Sequence, residues 1–306
     1  MSTTVNDLSE VAGAAKAHRA RFLTTHTAGL VGLAVIVLVV FSILAPSTYP
    51  SPLNLQAVAY ATPEIALLAL AVTIAMATGG IDLSVVGTAN LAAIATATTS
   101  MGMVAAGLNS GAAVTIGLLA GIGGGLLCGL LNGVLIAWAN IAPILATLAT
   151  MTIFMGAALI ITRGKPLYGL PDPLIQLGKA TIAVVPVSFW VLVLAVAGLW
   201  VVVNRTRLGL RLILIGTNPE AADYTGLRRR RALLAAYALS GAIAALAGIL
   251  MSARTASAAA DYGSSYLLLA ITIAVLGGTH ATGGSGPVVG VALAALILQM
   301  ISSGFN

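Results

Sequence analysis

Residues 112–137 read AAVTIGLLAGIGGGLLCGLLNGVLIA, a stretch without one charged side chain. As a helix it extends about 39 Å at 1.5 Å per residue, more than the roughly 30 Å of a bilayer's hydrocarbon core. A helix apolar all round needs lipid or protein on every side, so water is excluded as its solvent. Outward from this stretch, similar runs recur at 28–45, 57–78, 84–106, 143–162, 186–203, 231–252, 265–279 and 287–303, separated by Gly, Pro, Asn and Ser. The whole chain agrees: 59% of its 306 residues are apolar and 7% charged, where soluble domains carry about 25% charged residues. The expected fold is all-α, a polytopic integral membrane helical bundle of about nine transmembrane segments. Such a bundle leaves no room for a separate catalytic domain.

Charge placement orients the bundle. The polar segment 1–27 brings Lys16, Arg19 and Arg21 to the edge of the first run, which is too long for a signal-peptide core and is read as a retained span. By the positive-inside rule this segment is cytoplasmic, and residues 28–306 form the transmembrane domain. Alternate threading then places Arg205, Arg207, Arg211 and Arg228 to Arg231 inside, in a cytoplasmic loop at about 204–230. Arg163, Lys165, Lys179 and Arg254 fall outside, making ten basic residues against four. An odd number of spans leaves Asn306 outside, directly after an apolar helix. Either the protein lacks a last helix or the sequence stops one helix short, and the second reading is favoured.

Several chemistries are set aside. Cys128 has no partner cysteine, and His18, His26 and His280 lack clustered ligands, so no disulfide, metal or cofactor site is expected. No phosphate-binding Gly-x-x-x-x-Gly-Lys-Ser/Thr loop occurs and no nucleophile with a base partner is recognisable, so the chain is not read as an enzyme. Topology accounts for the basic residues, and nucleic-acid binding is set aside too.

Two segments interrupt the apolar pattern. Gly79-Gly80-Ile81-Asp82-Leu83-Ser84 puts a carboxylate between two runs, and Gly277-Gly278 through Gly283-Gly284-Ser285-Gly286-Pro287 breaks the last pair. Non-helical backbone at membrane depth survives only against protein or a water-filled cavity. The breaks are therefore either the polar centre of a repeated architecture or tight surface turns. Asp82 either caps the helix beginning near Ser84 or lines a path. Glu64, following Pro63, is expected in the first turn of a kinked helix. Gly117, Gly121, Gly125, Gly129 and Gly133 lay a smooth strip suited to close helix packing, or to the wall of a path. Asn132 beside it would bond a neighbouring helix or a ligand hydroxyl. The run Arg228 to Arg231 would hold the loop inside, bind anionic head groups or meet an acidic partner. Arg254 and Asp261 are expected in an outer loop.

The stretch from Gly216 to Gly226 spells a short cytoplasmic helix from Pro219 to Thr225. Asn218 is an N-cap, Pro219 suits the first helical position, Glu220 and Asp223 complement the dipole, and Gly226 is a stop. Two turns are unstable alone in water, so the helix requires a docking partner.

Glu220-Ala221-Ala222 followed by Gly226 resembles the coupling helix of permease subunits in ATP-binding-cassette (ABC) importers. The likeness extends to the ribose/xylose/arabinose-type sugar permeases through 76–84 (MATGGIDLS), 142–148 (APILATL) with 162–166 (TRGKP), and 276–279 (LGGT) with 283–286 (GGSG). Thr206, Gly209, Gly216 and Asn218 fit the approach to the coupling helix. Two departures stand out: Met155 precedes Gly156 where the family commonly has arginine, and the family's usual final helix, its tenth, is absent.

The resemblance implies a transport subunit in a bacterial cytoplasmic (inner) membrane, importing a pentose, hexose or related sugar. Its partners would be a second permease subunit, identical or paralogous, a cytoplasmic ABC ATPase that hydrolyses the ATP, a periplasmic or lipid-anchored sugar-binding protein, and membrane lipid. It places ATPase coupling on Asn218, Pro219, Glu220, Ala221, Ala222 and Gly226. A path or gate is expected at Gly79, Gly80, Asp82, Ser84, Asn132, Gly277 and Gly278. The rival cargo is a branched-chain amino acid. The rival class is an ion-coupled secondary transporter or channel, with Asp82 as proton carrier.

Overall fold

The computed structural model describes residues 26–224 and 226–306; Lys16, Arg19, Arg21 and most of the expected N-terminal segment lie outside the described residues. The chain forms α1 (His26–Leu44), α2 (Pro52–Ala77), α3 (Val85–Ala105), α4 (Ser110–Ala137), α5 (Pro143–Thr162), α6 (Asp172–Lys179) and α7 (Val187–Arg205), then α8 (Arg207–Thr217), α9 (Pro219–Tyr224), α10 (Arg229–Thr255), α11 (Tyr266–Leu276) and α12 (Val288–Gly304). Strands are confined to four two-residue pieces in two antiparallel pairs: β1 (Leu167–Tyr168) with β4 (Ser257–Ala258), and β2 (Thr181–Ile182) with β3 (Val185–Pro186). The chain is an all-α membrane bundle, and each of the nine apolar runs coincides with a helix. Among the described residues, six helices are long and apolar enough to cross a membrane: α1, α2, α4, α5, α7 and α10.

Local chemistry sets the ends. The Ser51 hydroxyl accepts from Asn54 N–H at 3.2 Å and Pro52 opens α2, so this helix starts five residues before the apolar run. Glu64 consequently lies in mid-helix, not in a first turn. Asn109 caps α4 by accepting from Gly111 N–H at 2.9 Å. Pro143 opens α5.

α2 is the central post: every residue from Thr62 to Ala77 is buried. It is surrounded by α7, α10, α11 and α12, while α3, α4 and α5 build outward from the far side of α10. Apolar residues gain little by leaving lipid for protein, so close packing must hold these helices together. The glycine strip of α4 serves that end. A methyl at Gly121 would stand 2.8 Å from the Ala92 carbonyl of α3, and one at Gly125 2.6 Å from the Gly241 carbonyl of α10. Cys128 is buried beside the strip. α1 stands at the periphery and packs Leu30 and Val37 against Ile297 and Met300 of α12.

Three segments depart from the sequence expectation. The run 265–279 yields only the eleven residues of α11, about 16 Å and half a hydrocarbon core. The preceding chain folds back inward: Ala258, Ala259 and Ala260 are buried, and Asn90 of α3 donates to the Ala260 carbonyl at 2.8 Å. Arg254 belongs to the last turn of α10, not to a loop. The stretch between α5 and α7 is organised into α6 and β1 to β3, and it covers the start of α2. There Tyr60 donates to the Lys179 carbonyl at 2.6 Å and Gln56 to that of Val184 at 3.1 Å.

Candidate functional site

The site is assembled at the end of the bundle where α7 gives way to α10. α8 was not expected, because its arginines take it out of any apolar run. Its signal is the period of buried Gly209, Leu212, Ile213 and Gly216 behind a Thr206 cap. α8 hands over directly to α9 at Asn218. The Asn218 side-chain oxygen accepts from Ala221 N–H at 3.0 Å, and its carbonyl accepts from Ala222 N–H at 3.0 Å. Pro219 occupies the first helical position, and Gly226 takes the left-handed φ of +70°. Ala222 is buried, so it roots the short helix. Pro219, Glu220, Ala221 and Tyr224 are exposed, and Tyr224 is 93% accessible. Thr225, the expected last residue of the helix, lies outside the described residues.

Gly216, the second-to-last residue of α8, touches both Gly-rich breaks. A methyl there would overlap the Ala77 carbonyl and stand 2.5 Å from the Gly284 nitrogen. Gly284 N–H in turn donates to the Ala77 carbonyl at 3.2 Å. Gly283 has the left-handed φ of +94°, and a methyl on it would stand 2.7 Å from the Gly216 carbonyl and 2.8 Å from the Gly79 nitrogen. Three backbone segments thus meet with no side chain between them, at a point two residues before the cap of α9. The two breaks are turns at one end of the bundle rather than at its centre.

Around this point lies a cavity of about 740 Å³. Gly79 and Gly80 border it from the α2–α3 corner, Asn140 from the α4–α5 corner, Thr217 and Pro219 from α8 and α9, and Thr282 from the α11–α12 turn. Arg229 and Arg230 complete the rim. Gly80 is hemmed in by another residue of the lining: a methyl there would stand 2.8 Å from Pro143.

Asp82, Ser84 and Asn132 do not border the cavity; they are enclosed in a polar network behind it. Asp82 Oδ1 accepts from Ser84 N–H at 3.0 Å and Ser84 Oγ at 2.7 Å, and Oδ2 accepts from Ser240 Oγ of α10 at 2.9 Å. Ser84 Oγ accepts from Asn132 of α4 at 2.7 Å, and Asn132 Oδ1 from Thr150 of α5 at 2.6 Å. Thr147 of α5 accepts from Leu83 N–H at 3.1 Å. A buried carboxylate with all these donors is satisfied rather than stranded, and the network pins the α2–α3 corner to α4, α5 and α10. Thr150 and Ser240 escaped sequence reasoning, because a lone hydroxyl in an apolar run has no distinguishing pattern; Thr147 lies in the 142–148 stretch, but nothing in that stretch shows its role. Gly277 and Gly278 lie apart from the cavity. A methyl at Gly277 would stand 2.5 Å from Val291 Cα of α12, and Gly278, at φ +99°, faces His26 at the start of α1.

At the opposite end, Glu64 of α2 and Arg254 of α10 form a two-pronged ion pair, Nε to Oε1 and Nη2 to Oε2, the latter at 2.8 Å. Glu64 is almost fully covered and Arg254 about one-third exposed. This pair was not anticipated, since 190 residues separate the partners.

A family profile described as branched-chain amino acid transport system, permease component, matches residues 54–306. Among curated proteins, the ribose import permease protein RbsC of Bacillus subtilis (strain 168) is 37% identical over 277 residues, 90% of this chain and 83% of the relative. The autoinducer 2 import system permease protein LsrD of Enterobacter sp. (strain 638) is 34% identical over 280 residues, 89% and 83% of the two chains. LsrD of Escherichia coli (strain K12) is 31% identical over 284 residues, 90% and 84%. No solved structure matches the chain.

Proposed function

From the premise that the chain belongs to this family of importer permease components, we propose that its cargo is a sugar or a related polyhydroxylated molecule. The chain is a transport subunit of an ABC importer, not an enzyme, and ATP hydrolysis belongs to a separate subunit of such systems. The family description speaks of branched-chain amino acids, whereas the relatives similar over nine-tenths of this chain are named for ribose and autoinducer 2. Those names favour the sugar.

The observation that carries the mechanism is the backbone contact of Gly216 with Ala77 and Gly284. In our reading, the exposed face of α9, presented by Asn218, Pro219, Glu220 and Ala221, rooted by the buried Ala222 and closed by Gly226, seats in a cleft of the ATPase. When ATP closes that cleft, α9 moves and α8 moves with it. Packed backbone has no slack, so the α2–α3 corner and the α11–α12 turn are carried along. Gly79 and Gly80 then shift at the cavity rim as the inner gate, Gly277 and Gly278 serve as the hinge between α11 and α12, and Asp82, Ser84 and Asn132 brace the corner during the movement. The arginine-rich end is cytoplasmic, by the positive-inside rule. A second permease subunit completes the path, and a sugar-binding protein delivers cargo at the opposite face.

The test is to purify the permease with its soluble binding protein and screen that protein by thermal shift, since a ligand raises the melting temperature of the fold that binds it. A shift with a pentose, hexose or related sugar is expected. A shift with leucine, isoleucine or valine and with no sugar would overturn the cargo assignment.

A further inference from the structure

Four consecutive arginines, Arg228 to Arg231, sit at the cap and first turn of α10. This is an electrostatically adverse place for them, because a helix N-terminus carries about half a positive charge of its own and favours anions. All four are exposed, and together with Leu227 and Trp138 they line a cavity of about 490 Å³. No acidic residue among the described residues lines it. Topology alone requires positive charge in this loop, but it does not require the charges to converge around a hollow containing an indole.

Trp138 identifies the side from which the hollow is reached. It ends a ridge on α4 made by Leu127, Leu131 and Val134, spaced three to four residues apart, and each of the four side chains is 43–65% exposed. A ridge of that length and apolarity on a membrane-crossing helix suits acyl chains, and tryptophan at its end suits the head-group level. The apolar ridge and the cationic hollow are therefore continuous, with Trp138 belonging to both.

We propose that this hollow is a binding site for an anionic phospholipid of the surrounding membrane, with an acyl chain along the α4 ridge and the phosphate among Arg228 to Arg231. The proposal is independent of the cargo and of the ATPase mechanism. A bound phosphodiester offsets the adverse charges at the helix start and fixes the α4–α10 corner, whose Arg229 and Arg230 also border the larger cavity.

The test uses the full chain with Trp190→Phe and Trp200→Phe, which leaves Trp138 as the sole tryptophan reporter. The variant is reconstituted in phosphatidylcholine bilayers containing dibrominated phosphatidylglycerol or, in parallel, dibrominated phosphatidylcholine. Bromine quenches tryptophan on contact. The expected result is quenching by the anionic lipid at lower mole fractions than by the zwitterionic one, with about a five-fold loss of that preference for each of Arg228→Gln and Arg231→Gln. Raising salt should erode the preference in the unsubstituted arginine run, a readout that remains if the glutamine variants do not fold. Equal quenching by the two lipids, or a preference untouched by both glutamines and salt, overturns the proposal. Recovery of fluorescence on adding inorganic phosphate would make it a soluble-anion site, and no quenching by either lipid would mean that protein covers Trp138. Either result also overturns it.

Discussion

Gly216 and Gly284 meet backbone to backbone: a methyl on the first would stand 2.5 Å from the nitrogen of the second, whose N–H is bonded to the Ala77 carbonyl. Two turns far apart in sequence and the last turn of α8 are thereby locked together, two residues before the cap of the exposed helix α9. In the proposed stroke such a junction would transmit displacement, because it contains no side chain able to change rotamer.

Close packing of α4 on α10 predicts a sharp contrast between neighbouring glycines. Gly125→Ala places a methyl 2.6 Å from the Gly241 carbonyl and should cost about 1–3 kcal/mol through overpacking. Gly124→Ala, where nothing lies within 4 Å, should be neutral or stabilise by up to about 1 kcal/mol from helix propensity. Thermal midpoints in detergent check the pair, and equal behaviour of the two variants would contradict the packing.

The polar network makes a second prediction. Asp82→Ala strands the Ser84 N–H and two hydroxyls and should destabilise by about 1–3 kcal/mol or more. Asp82→Asn keeps one acceptor for Ser84 and can donate to Ser240, so it should lose less stability and retain measurable ATP-driven uptake. A proton-carrying Asp82 would instead make Asp82→Asn inactive while leaving it stable.

Breaking the Glu64–Arg254 pair should be costly from the Glu64 side. Removing Arg254 leaves a covered carboxylate unpaired, which costs about 3–5 kcal/mol in fully buried cases; the partial exposure of Arg254 lowers that figure here. Arg254→Met should therefore lower the melting temperature clearly, and Glu64→Leu combined with Arg254→Met should recover much of the loss. An additive double variant would show that the two residues do not interact.

Asn218→Ala removes the acceptor for Ala221 N–H and should weaken α9 by about 1 kcal/mol, whereas Asn218→Asp or Asn218→Ser keeps the cap. Co-purification of the ATPase should fall with Asn218→Ala and be preserved by the other two. Undiminished association in the alanine variant would place the docking elsewhere.

The helices were legible in the sequence because apolar runs long enough for a bilayer have few other readings. α11 was overestimated for a physical reason: the run 265–279 is apolar throughout, yet the buried loop before it and the corner at Gly277 leave only half a span. α8 was missed because Arg207 and Arg211 mask an amphipathic period. At the site, the glycines and Asn218 carry backbone chemistry that a sequence displays. Their convergence is not displayed, since Ala77, Gly216 and Gly284 reveal nothing of one another until the chain is folded. The same holds for Ser240 and Thr147, ordinary hydroxyl residues until Asp82 and Leu83 are set beside them.

The most direct measurement is ATP-driven uptake by proteoliposomes holding the permease, its ATPase and its binding protein, made with Gly216 or with Gly216→Ala, while ATPase association is followed in parallel. We expect the alanine variant to retain its ATPase and lose most of its uptake, because the added methyl forces α8 away from Ala77 and Gly284. Uptake at the unsubstituted rate, with α8 still docked, would contradict the claim that this junction carries the stroke from α9 to the gate.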